Sequence, residues 1–105
     1  MAPVRITYST AVVLAALSRG YRYGFEIMDA SGLPSGTVYP ILRRLEDARL
    51  VSGRWEALSD ARGEQRPPRR YYQITGAGRQ AVRDAIGRFP GLDNALMPGT
   101  APSPT

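Results

Sequence analysis

The 105-residue sequence contains neither cysteine nor histidine. Disulfide bonds, thiolate or imidazole metal ligands, cysteine nucleophiles and serine–histidine mechanisms are therefore excluded, and with them most of the chemistry of small enzymes. The carboxylates on predicted helices are single residues, and no motif brings two of them together for general acid–base catalysis. Asp29, Glu46, Asp47 and Asp84 are examples. We predict that the protein is not an enzyme and needs no metal or other cofactor.

Lysine is absent too, so all 14 basic residues are arginine, against 9 acidic residues. The net charge is +5 and the pI is about 10.2. Such an excess of positive charge is typical of proteins that bind polyanions. The length suits one compact domain with a modest core.

Long apolar runs are also missing. The stretch "AVVLAAL" at residues 11–17 follows Arg5, and together they resemble the start of a secretory signal. The run is far shorter than the roughly 18 apolar residues of a membrane span, and no clear cleavage site follows it. We predict instead a buried first helix, capped by Thr7 or Ser9 and ended at Gly20.

Two more helices are predicted before residue 50. The segment "YGFEIMDASG" indicates a short second helix that ends before Gly32. The segment "LPSGTVYPILRRLEDARL" predicts a third helix from about Pro34 or Ser35 to about Arg49. Its apolar residues recur at helical spacing; they are Val38, Ile41, Leu42 and Leu45.

Pro40 lies inside the first turns of this third helix. A proline there removes one hydrogen bond and presses its ring on the carbonyl four residues earlier, which belongs to Gly36. Free N–H groups and the positive end of the helix dipole would favour a phosphate at such a helix start. In the alternative interpretation, Ser35 and Thr37 are only capping residues, Pro40 only shapes the helix entry, and Tyr39 is a partly buried ring.

The second half of the sequence changes character. "LVSGRWEAL" and "RRYYQIT" favour strands, and the polar segment "SDARGEQRPPR" between them predicts a hairpin with a long, mobile tip. Trp55 is expected to pack rather than bind a ligand, and Tyr71 and Tyr72 to point to opposite faces. "GAGRQAVRDAIGRF" returns to helical spacing, and Pro90 ends that helix.

This order of elements predicts the α+β fold of a winged helix-turn-helix: three helices, a two-stranded β-hairpin wing and a C-terminal helix. Residues 1–89 would form the winged-helix domain, and residues 90–105, rich in Pro, Gly, Ser and Thr, a disordered tail. In this fold the third helix enters the major groove and the hairpin reaches the adjacent DNA backbone.

The segments "YGFEIMDASG", "SGTVYPILRRLEDARLV", "RWE" and "RRYYQITGAGR" resemble successive signatures of the PadR family of winged-helix transcriptional regulators. The resemblance implies a bacterial, cytoplasmic, homodimeric repressor that binds double-stranded operator DNA. The operator would be an inverted repeat, and a small molecule usually releases such a repressor from it. Nothing in the sequence identifies that effector. The sequence departs from the family at Phe25, where tyrosine is common, and at Pro90, which ends the helix used for dimerisation early.

The resemblance also implies which residues act. The predicted DNA-binding residues lie at the start of helix three, further along it and on the wing: Ser35, Gly36, Thr37, Tyr39, Arg43, Arg44, Arg66, Arg69 and Arg70. The predicted dimerisation residues form the apolar face of the last helix: Ala81, Val82, Ala85, Ile86 and Phe89. Two alternatives stay open: this face could pack on the first helix of its own domain, and the winged helix could bind a protein instead of DNA.

Overall fold

The computed structural model describes residues 5–57, 63, 65 and 67–96, apart from the side chain of Asp93. Its helices and strands follow in the order α1 (Tyr8–Ser18), α2 (Gly24–Ser31), α3 (Ser35–Asp47), β1 (Val51–Trp55), β2 (Arg70–Ile74) and α4 (Gly76–Arg88), with a final 3₁₀ turn at Leu92–Asn94. The two strands pair antiparallel, with Val51 opposite Ile74 and Trp55 opposite Arg70. This is the predicted winged-helix arrangement, and the predicted α+β class is confirmed.

Helix α1 lies at the centre of the core. Every residue from Thr10 to Leu17 is buried, because α2, α3, β2 and α4 all pack around the helix. A helix that is apolar on all sides needs such a position. As predicted, the helix has Thr7 as its N-cap, whose side chain accepts a hydrogen bond from the Thr10 N–H. None of the helices in the described part of the chain is long and apolar enough to cross a membrane.

Helix α3 packs its predicted apolar face into the core. Val38, Ile41, Leu42 and Leu45 are all buried, which leaves the opposite face of the helix in solvent. The helix ends at Asp47, two residues before the predicted end. Arg49 adopts a left-handed conformation with φ of 62°, and the N–H of Leu50 donates to the Leu45 carbonyl at 2.9 Å. This terminating turn, usually built on glycine, directs the chain into β1.

The hairpin is fixed at its base by Thr75. Its hydroxyl shares one proton between the carbonyl oxygens of Arg49 (2.9 Å) and Leu50 (3.0 Å), and its oxygen accepts from the Gly78 N–H (3.1 Å). One threonine therefore joins the end of α3, the end of β2 and the start of α4. Tyr72 is buried and Tyr71 half-buried, in agreement with the predicted alternation.

The ordered chain continues beyond Pro90, and the predicted tail boundary is wrong for the described residues that follow it. Leu92 is only 1 % and Leu96 only 4 % exposed, and both belong to the core around α1. These two apolar side chains gain enough burial to order a segment whose composition indicated disorder. Residues 97–105 lie outside the described residues.

Candidate nucleic-acid interface

The solvent face of α3 is low in side-chain bulk at its start and basic further along. Gly36, Pro40 and Arg43 are all exposed. At 3.6 residues per turn, positions four and seven residues apart lie nearly above one another, so these three form one line along the helix. No atom lies within 4 Å of where a Gly36 side chain would begin. Another molecule can therefore approach the backbone closely at this point.

The start of α3 is not capped by its own hydroxyl groups. The N-cap is Pro34, without a side-chain hydrogen bond, and the first backbone bonds run from Thr37 and Val38 to the Pro34 carbonyl (2.9 and 3.0 Å). The N–H groups of Ser35 and Gly36 precede this first bond. The interpretation of Ser35 and Thr37 as capping residues is therefore wrong.

Tyr39 has a packing role as well as an exposed position. Its side chain is 45 % exposed, yet the ring lies across Gly24 at the start of α2. A Cβ atom on Gly24 would come within 2.6 Å of the ring carbon Cζ. Gly24 thus lets α3 and the start of α2 approach, a function that sequence reasoning missed because the contact joins two different helices.

The start of α2 also meets the wing. The rings of Tyr23 and Phe25 are stacked, with centroids 5.4 Å apart, and the Arg69 guanidinium lies 5.1 Å from the Phe25 ring centroid. Cations are attracted to aromatic faces at this distance. Arg69 is exposed, and its backbone N–H donates to the Glu56 carboxylate at 2.8 Å. Phe25, noted in the sequence only as a departure from the family, therefore places a wing arginine beside α2.

Arg70 occupies a different environment from Arg69. Its guanidinium forms an ion pair with Glu46 of α3 and lies over the rings of Trp55 (5.4 Å) and Tyr72 (5.8 Å). The prediction that Arg70 contacts the DNA backbone is not supported by this geometry, because its charge is directed back to the protein. Glu46, which the sequence indicated as an isolated carboxylate, is its partner.

Tyr72 completes this cluster. Burial raises the pKa of the Tyr72 phenol above its ordinary value; the nearby Arg70 guanidinium acts in the opposite direction, and the negative charge of Glu46 adds to the effect of burial. The phenol is therefore neutral near pH 7. Trp55, by contrast, is 64 % exposed, so it does not pack in the interior of the domain. Its ring contributes instead to one side of the Arg70 environment.

The other predicted DNA-binding residues lie on α3 or outside the described residues. On α3, Ser35, Arg43 and Arg44 are exposed and Thr37 is half-buried. Arg66, like most of the predicted hairpin tip, lies outside the described residues.

The predicted dimerisation face is divided. Val82 and Ala85 are buried in their own domain, where α4 packs on α1, so for these two residues the alternative interpretation is correct. Ala81 and Phe89 are half-buried, and the Phe89 ring meets Tyr8 edge-on at 5.8 Å. Of the five predicted residues, Ile86 is the most exposed, at 42 %.

Three helices, a hairpin beside the third and a basic outer face define a winged helix-turn-helix protein. The family model described as "Transcriptional regulator PadR-like family" matches residues 13–84. The chain belongs to this family, and the predicted resemblance is confirmed.

Solved structures agree with this assignment. The chain is similar to a PadR-like transcription factor from Bacteroides fragilis, at 26 % identity and a TM-score of 0.65 over 81 % of this chain and 82 % of that one. It is also similar to Pex from Synechococcus, at 26 % identity and a TM-score of 0.53 over 81 % and 87 %. A Streptococcus transcriptional regulator shares the fold at 23 % identity and a TM-score of 0.60, over 81 % and 84 %. No curated protein matches the chain by sequence.

Proposed function

We propose that the protein is a sequence-specific DNA-binding repressor that acts as a homodimer. The observation that supports this most directly is the exposed line of Gly36, Pro40 and Arg43 on α3, in a chain of net charge +5 from a family of transcriptional regulators. A helix face without bulky side chains at its start fits closely against base edges in the major groove.

The roles of the side chains follow from their positions. Ser35, Thr37 and Tyr39 lie at the helix start, where their hydroxyl groups would contact base edges or phosphates. Arg43 and Arg44 lie further along the exposed part of the same helix and bind phosphates or guanine. Arg69, held over Phe25, binds a phosphate beside the groove. For Arg66, in the hairpin tip predicted from the sequence, we propose a second, weaker phosphate contact.

Dimerisation would use the exposed apolar residues where α1 begins and α4 ends. Ile86 and Tyr8 are 42 % and 47 % exposed, and Tyr8 already meets Phe89. A two-fold dimer through this surface would place two α3 helices about one DNA turn apart, roughly 34 Å, and read an inverted repeat.

A gel-shift titration tests the proposal. The parent protein is titrated against DNA fragments from upstream of its own gene and neighbouring genes, and against a random duplex of equal length, at two salt concentrations. We expect one fragment to bind at least a hundredfold more tightly than random DNA, and both affinities to fall as salt rises. Equal affinity for all fragments would contradict sequence-specific binding, and a lack of salt-sensitive binding would contradict DNA binding altogether and favour a protein partner.

A further inference from the structure

The ion pair between Arg70 and Glu46 joins two elements that the chain connects only at their base. Helix α3 ends at Asp47 and β1 begins at Val51, so this end of the hairpin is fixed by the short turn between them. Arg70 stands at the other end of the hairpin ladder, opposite Trp55. Its side chain must run back along the sheet to reach Glu46. The pair therefore ties the outer part of the wing to the helix.

Gly53 lies beneath this ion pair. A Cβ atom there would come within 2.6 Å of the Arg70 Nη2 and 2.8 Å of the Glu46 Oε1. Real Cβ atoms are not found so close to other heavy atoms, so any side chain at position 53 would displace the pair. Gly53 lies opposite Tyr72 in the ladder, and its missing side chain leaves the space that the pair fills.

Each strand of the hairpin contributes one aromatic ring that lies beside the Arg70 guanidinium. Trp55 of β1 and Tyr72 of β2 each lie within 6 Å of the Arg70 guanidinium carbon. The side chains of Arg70 and Glu46 are 29 % and 30 % exposed, so water screens their attraction only in part. The ion pair, the glycine and the two rings are four features that act on the same guanidinium.

We propose that Arg70 and Glu46 are positioning residues that set the angle of the wing against α3, and that Arg70 does not bind a DNA phosphate. The inference rests on the proposed DNA binding. Adjacent arginines thus have different tasks: Arg69 is directed to the DNA backbone and Arg70 to the protein. Loss of the pair should weaken binding to the operator more than binding to random DNA. Only the specific complex requires the wing and α3 to contact the DNA at fixed positions relative to each other.

The test compares Glu46→Gln with Asp47→Asn. Both variants remove one negative charge from the end of α3, and Asp47 is exposed. If charge alone matters, both should bind DNA equally well or better than the parent, because repulsion of phosphate is reduced. We expect Asp47→Asn to behave in this way, and Glu46→Gln to lose about 3- to 10-fold in operator affinity while binding to random DNA does not weaken.

Arg70→Ala and Arg69→Ala give the second comparison. Loss of a phosphate contact lowers the slope of log affinity against log salt by about one on any DNA. We expect this reduction in Arg69→Ala and an unaltered slope in Arg70→Ala. Arg70→Ala together with Glu46→Gln should be no worse than Arg70→Ala alone, since both changes break one pair. Gly53→Ala, which keeps both charges, should reproduce the loss seen in Glu46→Gln.

Fluorescence separates this inference from the proposed function. Trp55 is the only tryptophan in the sequence, and it touches Arg70. Without DNA, Glu46→Gln should shift the Trp55 emission and Asp47→Asn should not. The inference is overturned if Glu46→Gln leaves the emission unchanged and binds the operator as Asp47→Asn does, or if Arg70→Ala lowers the salt slope on random DNA. If the parent protein does not bind DNA, the proposed function fails, whereas the emission shift still reports the pair.

Discussion

For single residues, several glycines stand where a neighbouring group lies too close to the backbone to leave room for a side chain. Gly78 near the start of α4 has no room for a side chain, since a Cβ atom would lie 2.6 Å from Ile74 Cγ1 and closer still to the Leu50 carbonyl oxygen. Gly87, in the same helix, faces open space. The two positions therefore differ in what an added methyl group would meet.

Gly78→Ala should reduce the free energy of unfolding by about 1–3 kcal/mol, because the methyl group would push α4 from the turn after α3. Gly87→Ala should raise it by about 0.5–1 kcal/mol, because alanine favours the helix. Urea unfolding followed by circular dichroism measures both. If Gly78→Ala is as stable as the parent, α4 does not pack as closely on Leu50 as described.

The sequence predicted which residues are buried or exposed better than it predicted which side chains contact one another. The apolar spacing of α3 was sufficient to predict its buried face, because burial follows the helical period. Adjacent arginines at positions 69 and 70 could not be separated in the same way, since their roles depend on Phe25 and Glu46, which lie far away in the sequence.

Among the helices and strands, α3 is unusual because it contains a proline, Pro40, which the sequence had already placed inside the first turns of this helix. It lies on the exposed face, four residues after Gly36, and lacks the N–H that would bond to the Gly36 carbonyl. The proline costs helix stability at this position, and we infer that it shapes the helix start that meets DNA.

Pro40→Ala should therefore fold more stably than the parent, by about 1–3 kcal/mol, because a helix former restores the missing hydrogen bond. Its operator affinity should nevertheless fall by about tenfold, or about 1.4 kcal/mol. Thermal unfolding and operator titration on the same preparation measure the two effects. Equal or tighter operator binding by the alanine variant would show that the proline has no part in presenting the helix.

The element order could be predicted because each element has its own local signal, whereas the end of the ordered chain could not. Composition after Pro90 favours a tail, but Leu92 and Leu96 find apolar surface on the core. Whether two leucines are enough to order a polar segment depends on the site they meet, and that site is formed by elements far away in the sequence.

At the scale of the whole molecule, the division of the α4 face changes how dimerisation should be tested. Val82 and Ala85 are part of the core of their own domain, so a charge at either position would unfold the domain. Ile86 is exposed and can be changed without that loss.

Ile86→Asp should therefore convert a dimer to a monomer while the melting temperature of the domain changes little. Sedimentation velocity at micromolar concentration, with and without operator DNA, measures the assembly state. Arg83→Asp, a change to a charge at another exposed position of α4, is the control and should leave the dimer intact. A parent protein that sediments as a monomer in both conditions would refute the dimer.

The central claim, that α3 reads the bases and Arg69 binds a phosphate, is tested most directly by log affinity against log salt for Thr37→Ala and Arg69→Ala, on operator and random DNA. Thr37→Ala should lose about 1–3 kcal/mol on the operator and almost nothing on random DNA, with the salt slope unchanged. Arg69→Ala should weaken binding to both DNAs and lower the slope by about one. The account is contradicted if Thr37→Ala weakens both DNAs equally, or if Arg69→Ala loses affinity without a change in slope.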